Sequence, residues 1–581
     1  MALDPEIEKL RHTAAHILAQ AVQRLYPSAK LGIGPVTEKG YYYDFEISDA
    51  GFAKEQTDLE AQKDNLARLE AEMKQIIEEE LPLTQVFLGR DEAMDMLHSR
   101  GQIFKTELLQ KVDTQEVSFY KTGEEFIDLC RGPHLASTGK VGAIKLIGLM
   151  RTHWLSDDTR PIMYRISGLA FKSKKDLAVY EKTQEELKGR DHRKIGDLLE
   201  IFINEDQQGV NDNVILSYGR KVKKNIISSL EGLLEENSYD ICEIKPYWNK
   251  KTFSKNELAG FYDSEDVLEV NEEEVLTNDQ TIQLIELARR DIAASGERDV
   301  ESMVSRIAHI NWRYDKMEER PKENTGLYNS TSTQQLKGVS VVAKDKFKQE
   351  LRDSVQLLLS FYKSILDETL SVVLTAKDEE LSAIAIEVLM ELQIDVIKQK
   401  GDSEFSLKLI HRDIFEYAWT LAEIKHRQDI SGFITRKVFG ELLPELKDSS
   451  TEQQGLCALQ ITFAENIEQF LAIILERTDG YLPLEFAAYQ VMIVPEQEEY
   501  ENYARSLAQE LKRSRLRVGI DTTARAFDTK VKEAYRLRYP YILTVGEQEE
   551  RNAVMSVKPA TGEELGLMST KEFLQKLDII S

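Results

Sequence analysis

The sequence predicts a multidomain chain of mixed α+β and α/β class, and three observations carry that prediction. Its 581 residues exceed what one hydrophobic core accommodates and set roughly two to four domains. Near the start, a helix-forming run carries chemistry that is matched far downstream by a strand end and a turn. At the end, residues 487–581 alternate short apolar strands with polar helices, the pattern of a small α/β layer.

The elements follow in order. His12-Thr13-Ala14-Ala15-His16 runs on into Ile17-Leu18-Ala19-Gln20-Ala21-Val22, a stretch of good helix formers. A spacing of four residues stacks both imidazoles on one helix face. Residues 55–80 form a second helix, in which Leu66, Leu69, Met73, Ile76 and Ile77 keep helical spacing and the charges make a solvated face. Phe126-Ile127-Asp128-Leu129 is a strand end, and Gly132-Pro133 turns the chain so that it carries His134. A charged helix from Lys174 to Lys194 links to the middle region, residues 206–486. In the end region, Tyr489–Val494 is a strand stopping at Pro495 and Glu498–Leu511 a helix. Arg517–Asp521 is the next strand, Lys530–Arg538 a helix, and Tyr541–Gly546 a third strand.

Composition narrows the function. The formal charge of −26 argues against nucleic-acid binding by bulk charge, so any such contact needs a local patch. One exists: residues 512–538 hold nine Lys or Arg against three acids, including Lys512, Arg513, Arg525, Lys530, Lys532 and Arg536. It reads as a phosphate-contact patch or as an ordinary basic helix. Three widely spaced cysteines give no disulfide framework and fit a reducing cytoplasm. Met1 leads into a charged helix without an apolar signal region, and no apolar run is long enough for a membrane span. A cytoplasmic protein is therefore expected.

The two motifs hold three of the nine histidines and one of the three cysteines. His12, His16, Cys130 and His134 form a zinc-type ligand set. The same groups with Asp128 also make a metal-free hydrolytic pocket, in which His and Asp position and activate a water. His309, His411, His426 and Cys457 are scattered without ligand spacing and read as structural.

Arg11 to Gln20, Leu31-Gly32-Ile33-Gly34-Pro35, Gly40-Tyr41-Tyr42-Tyr43-Asp44-Phe45, Asp128 to His134 and Arg190-Asp191-His192-Arg193-Lys194 together resemble the editing domain of bacterial threonyl-tRNA synthetases. The resemblance spans residues 1–205 with the linker helix. It implies hydrolysis of serine wrongly attached to threonine tRNA. It places His12, His16, Lys105, Asp128, Cys130 and His134 in the catalytic pocket and Tyr43 against substrate. Alanyl-tRNA editing domains share both motifs and bind zinc through them. The threonyl type works without it, so no cofactor is expected, with zinc at His12, His16, Cys130 and His134 as the alternative. His153-Trp154-Leu155-Ser156-Asp157 departs from the family's Tyr-Trp-Arg-Gly-Asp, a change expected to alter a turn or a contact with the terminal adenosine.

The resemblance continues into residues 206–486, as a class II synthetase domain built on an antiparallel sheet. Gly219-Arg220-Lys221-Val222 through Lys245-Pro246 resembles the first signature motif and implies a homodimer. The aminoacylation chemistry looks lost. The family's Pro-Met-Asn-Cys-Pro element is missing, and no cysteine lies between Cys242 and Cys457. Arg313-Tyr314-Asp315 retains one arginine of the second motif. In the third motif, Gln460 stands for the zinc histidine and Gln469 for the phosphate-binding arginine, and a neutral amide cannot hold a triphosphate as a bidentate arginine does. ATP is not an expected ligand. Residues 487–581 resemble the anticodon-binding domain, implying tRNA(Thr) as partner. The leading expectation is a hydrolase that clears Ser-tRNA(Thr) in trans. A non-catalytic tRNA-binding or regulatory protein and a divergent active threonine-tRNA ligase are the alternatives.

Overall fold

The computed structural model describes residues 5–37, 40–48, 52, 59–111, 114–156, 160–203, 213–255, 259–260, 267–297, 299–314, 326–330, 332–366, 370–399, 405–414, 417–443 and 455–577. The chain divides into two compact units, Met1–Glu186 and Leu187–Ser581.

The first unit opens with α1 (Pro5–Leu25), whose second half is buried almost all round because alanines at 14, 15, 19 and 21 allow close approach. Strands β1 (Lys30–Leu31) and β2 (Tyr41–Glu46) follow, then α2 (Leu59–Glu78). Leu69, Met73 and Ile76 of α2 are fully buried, as the periodicity requires. Next come β3 (Leu83–Gly89), α3 (Arg90–Ser99), α4 (Ile103–Gln110), β4 (Glu116–Thr122), β5 (Phe126–Leu129), β6 (Ala143–His153), β7 (Ile162–Phe171) and α5 (Lys174–Gly189). An antiparallel sheet in the order β1-β2-β7-β6 carries α1 and α2, and their apolar side chains share one core. A smaller sheet, β3-β4-β5, carries α3 on a separate cluster.

The second unit begins with α6 (His192–Leu198), β8 (Phe202–Ile203), β9 (Val214–Ile215), α7 (Ser217–Glu236), β10 (Asp240–Cys242), β11 (Tyr247–Asn249), α8 (Lys250–Lys255), β12 (Val267–Glu269), β13 (Glu274–Thr277) and α9 (Thr281–Ser295). There follow β14 (Val304–Tyr314), β15 (Ser332–Ala343), α10 (Phe347–Leu366), β16 (Leu370–Ala376), α11 (Glu379–Glu391), β17 (Val396–Lys398), β18 (Phe405–Arg412), β19 (Ala418–His426), α12 (Gln428–Leu442), β20 (Leu456–Ala464) and α13 (Ile467–Thr478). An eight-stranded sheet runs β10-β14-β15-β20-β19-β18-β16-β17, antiparallel except for its two outermost strands. One face packs Leu336, Ile461, Ile424 and Leu407 against Leu351, Leu358 and Tyr362 of α10. The opposite face is covered at one end by α9 and α12. Elsewhere on that face the register aligns Lys337, Thr462, Glu423 and Lys408 across four strands, leaving it polar.

The unit ends with β21 (Val491–Pro495), α14 (Glu501–Arg513), β22 (Val518–Ile520), α15 (Phe527–Arg536), β23 (Tyr541–Val545), α16 (Glu547–Asn552), β24 (Met555–Pro559), β25 (Gly566–Met568) and α17 (Thr570–Lys576). The sheet order β22-β21-β23-β24-β25 is parallel across its first three strands and antiparallel beyond, the α/β layer that the alternation predicts.

Some boundaries differ from expectation. The helix expected over 55–80 is described from Leu59 to Glu78, and residues 55–58 lie outside the described set. The helix expected over Lys174–Lys194 stops at Gly189, because the Asp191 side chain accepts the Arg193 N–H and starts α6 instead. Ile195, Leu199, Ile201 and Phe202 then join the core of the second unit.

Candidate active site

The α1 face that meets the core carries polar groups as well as apolar ones: Thr13, His16 and Gln20 are all buried at helical spacing. The loop after β5 supplies the other half. Gly132 adopts a φ of +75°, and a Cβ there would lie 2.5 Å from the Tyr120 hydroxyl oxygen, so only glycine fits. The chain doubles back, and the Leu135 N–H donates to Thr13 Oγ1 at 3.0 Å, tying the loop to α1. This brings Cys130 Sγ to 3.2 Å from Nε2 of both His12 and His134. The His134 ring lies 4.1 Å, centroid to centroid, from each of His12 and His16.

Asp128, on β5, closes the pocket. Tyr43 of β2 donates its O–H to Oδ2 at 2.6 Å. Lys105 of α4 places its ammonium 2.7 Å from Oδ1. His16 Nε2 stands 3.8 Å from Oδ2. All six residues expected to be catalytic, with Tyr43, therefore converge. Two neighbours escaped sequence reading: Thr13, whose position between the two histidines was its only signal, and Tyr120, which packs on the His134 ring at 4.4 Å.

Burial governs the electrostatics. It lowers the pKa of His12, against a smaller opposing pull from Asp128. It holds His16 well below the ordinary range, aided by His12 and Lys105. His134 is lowered too, first by burial and then by its two histidine neighbours. The Cys130 thiol is pushed up to about 12, again mainly by burial. Without a cation, the pocket holds neutral imidazoles and a neutral thiol beside the Lys105–Asp128 ion pair.

The same groups fit a metal. One ligand atom each from His12, His16, Cys130 and His134 lie within 4.8 Å of one another. A tetrahedral zinc with these donors needs separations of roughly 3.3–3.8 Å. His16 Nδ1 is buried without a hydrogen-bond partner, the kind of orphaned atom that an ion would satisfy.

A second cluster, Asp191, His192 and Glu476, offers no such vacancy. His192 Nδ1 donates to Glu476 Oε1 at 2.7 Å, Leu327 N–H donates to His192 Nε2 at 3.2 Å, and Tyr328 donates to Glu476 Oε2 at 2.8 Å. It is a satisfied structural network joining α6 to α13. On the polar sheet face, Arg313 stands 4.0 Å from Glu465, Lys337 2.9 Å from Asp279 and Lys425 3.0 Å from Glu423. Gln469 is buried at the start of α13, its N–H held by Asn466, and Glu468 beside it pairs with Lys223.

The basic patch is smaller than its sequence suggests. Lys512, Arg513 and Lys532 are exposed. Arg525 is exposed but paired with Asp521. Arg536 is bound to Glu533 and to the Leu198 carbonyl. Lys530 is not a surface cation: it is buried, with its ammonium donating to the Pro495 carbonyl at 3.2 Å.

Comparison with known proteins agrees with this architecture. Residues 117–167 match the family model described as threonyl and alanyl tRNA synthetase second additional domain, and residues 490–578 match that described as anticodon binding domain. A threonine–tRNA ligase of Clostridioides difficile strain 630 is 28% identical over 98% of this chain and 87% of its own. One of Thermus thermophilus is 28% identical over 98% and 88%. Among solved structures, the RNA binding domain of threonyl-tRNA synthetase from Cryptosporidium parvum has a TM-score of 0.55 at 16% identity, covering 67% of this chain and 98% of that one. A putative threonyl-tRNA synthetase from Aeropyrum pernix has a TM-score of 0.53 at 14% identity, covering 67% and 94%. These two likenesses concern the fold. Along nearly its whole length the chain is thus similar in sequence to threonine–tRNA ligases, with a match to an editing-type domain and to an anticodon-binding domain.

Proposed function

We propose that the protein is an aminoacyl-tRNA deacylase that hydrolyses the ester of serine on tRNA(Thr), working in trans, and that it does not ligate threonine. The observation that carries this reading is the convergence of His12, His16, Lys105, Asp128, Cys130 and His134, with Tyr43, on one buried pocket.

A water attacks the ester carbonyl. His12, the imidazole on which burial is most opposed by Asp128, takes the proton of that water. Asp128 orients the array through Tyr43 and His16 and pairs with Lys105. Lys105 offsets negative charge developing on the ester oxygen. As the acyl–oxygen bond breaks, His12 returns that proton to the leaving ribose oxygen, which releases serine and the free tRNA end. Threonine is refused because its extra methyl clashes with the tightly spaced His16, Cys130 and His134. Cys130, a neutral thiol in this environment, shapes the pocket rather than attacking. His12, His16, Cys130 and His134 would hold zinc, which when bound polarises a carbonyl or lowers the pKa of a water.

Loss of the ligase is supported by Gln460 and Gln469 in the third motif and by the pairing of the cations on the polar sheet face. Residues 487–581 bind tRNA(Thr) through Lys512, Arg513 and Lys532, and the chain acts as a homodimer in the cytoplasm. The deciding assay is deacylation of Ser-tRNA(Thr) and Thr-tRNA(Thr) by the full chain and by a His12→Ala, His16→Ala double variant. Rapid loss of serine, sparing of threonine and an inert variant are expected. No hydrolysis with tRNA still bound would overturn the reading in favour of a regulatory tRNA binder.

A further inference from the structure

We propose that Glu107 is a positioning residue for this pocket: through a clasp with Trp154 and Arg160 it holds α4 where Lys105 reaches Asp128. The inference rests on the hydrolytic reading above. α4 has only eight residues, Ile103–Gln110, too few to hold a helix in place unaided. Its start is tied by Gln102, whose Oε1 accepts the Leu31 N–H at 2.7 Å. Its end is held by Leu109, buried beside Ala93 and Leu97 of α3, and by Arg90, which donates to the Leu109 and Gln110 carbonyls at 3.2 and 3.3 Å. Between these holds lies the face that carries Phe104 and Glu107, three residues apart.

Phe104 packs on the Trp154 ring at 4.7 Å. Glu107 accepts the Trp154 Nε1–H at 2.9 Å and two hydrogen bonds from Arg160, at 3.0 and 2.5 Å. Trp154 is fully buried, and its backbone N–H bonds to the Pro161 carbonyl at 3.0 Å, which ties the end of β6 to the start of β7. Arg160 comes first among the groups that hold the Glu107 carboxyl near a pKa of about 2, so the clasp is charged at any working pH. Lys105 lies between Phe104 and Glu107 in sequence but about 100° around the helix from Phe104. There its ammonium meets Asp128 at 2.7 Å. One turn of backbone thus converts the position of the clasp into the position of the charge. Glu107 itself sits outside the imidazole–thiol cluster and acts only through Lys105.

The test compares Glu107→Ala, Glu107→Gln, Lys105→Ala and the Lys105→Ala, Glu107→Ala double variant, in the full chain. Glu107→Ala slows Ser-tRNA(Thr) deacylation roughly tenfold to a hundredfold, the cost of misplacing a group by about an ångström. Glu107→Gln, which keeps an acceptor for Trp154, retains most of the rate. In the Lys105→Ala background, Glu107→Ala has no further effect. An additive loss there would overturn the inference. A second readout does not depend on activity: labelling by an amine-reactive ester, followed by peptide mass analysis. Lys105 is protected in the parent protein and labels several-fold faster in Glu107→Ala, while Lys121 is unchanged. If Lys105 stays protected, the positioning role falls whatever the hydrolysis shows. If the labelling shifts but the parent protein hydrolyses nothing, the clasp stands and the deacylase reading falls.

Discussion

Replacing Asp128 with asparagine isolates the buried ion pair at the centre of the pocket. The Lys105 and Asp128 side chains are only 5% and 3% exposed, so water does not screen the pair. The carboxylate receives the Lys105 ammonium on one oxygen and the Tyr43 hydroxyl, at 2.6 Å, on the other. An amide has one acceptor oxygen, and its NH2 then faces either a phenol O–H or an ammonium. Removing one partner of a buried pair leaves an uncompensated charge and costs about 3–5 kcal/mol. Lys105 carries a flexible stem that lets the ammonium withdraw, so the lower end applies. For a unit of 186 residues, at about 2–4 °C per kcal/mol, that is a fall in melting temperature of roughly 6–12 °C. Calorimetry of the full chain, with amide exchange to assign the transition to Met1–Glu186, measures it. Deacylation is lost with it. A variant that melts within about 1 °C of the parent would refute the reasoning, because a charge pair this dry cannot be halved without cost.

Dialysis against zinc, read by atomic absorption, gives one ion per chain, and His16→Ala abolishes uptake; if a chelator leaves deacylation unchanged, the ion is not part of the chemistry. Threonine-dependent ATP–pyrophosphate exchange is absent, and Gln469→Arg does not restore it; exchange above background would revive the ligase reading. His411 is buried and held near a pKa of about 4 against an ordinary 6.5, with the Arg477 charge adding to burial. The unfolded chain therefore takes up this proton first as pH falls, so the second unit loses stability between about pH 6.5 and 4. His411→Gln flattens that slope in urea titrations at several pH values. Lys532→Glu weakens tRNA binding and reduces its salt dependence, whereas Lys530→Ala lowers stability and leaves the salt slope alone.

What the sequence made legible follows from how locally each feature is encoded. His12 and His16 could be read because a four-residue spacing in a helix former fixes both on one face. Asp128, Cys130 and His134 could be read because Gly132-Pro133 forces the turn between them. Lys105 and Tyr43 came only through family resemblance. Their meeting with Asp128 depends on the packing of Phe104 on Trp154 and on the β2–β7 register, neither of which is a local pattern. The basic patch misled at Lys530 for a related reason. Phe527, Val531 and Ala534 make the buried face of α15, and Lys530 lies on that face with its stem packed inward and its ammonium on a carbonyl. Charge counted along a sequence does not say which side of a helix carries it.

The two places where the chain could do chemistry differ in how their polar groups are satisfied. On the large sheet, Arg313, Lys337, Lys408 and Lys425 each have a carboxylate within 4.0 Å, from Glu465, Asp279 or Glu423. Among the described residues of that face these four cations meet three acids, whereas a triphosphate calls for several uncommitted donors. Exposing those cations to a nucleotide would also mean breaking their present pairs. The pocket of the first unit is arranged the other way. Its ion pair lies to one side, while Cys130 Sγ lies 3.2 Å from Nε2 of both His12 and His134, and His16 Nδ1 has no hydrogen-bond partner among the described residues. Weak bonds to a neutral thiol yield to an incoming water, carbonyl or metal ion at little cost. The first unit is therefore the place to test for hydrolysis, and the second the place to test for tRNA binding.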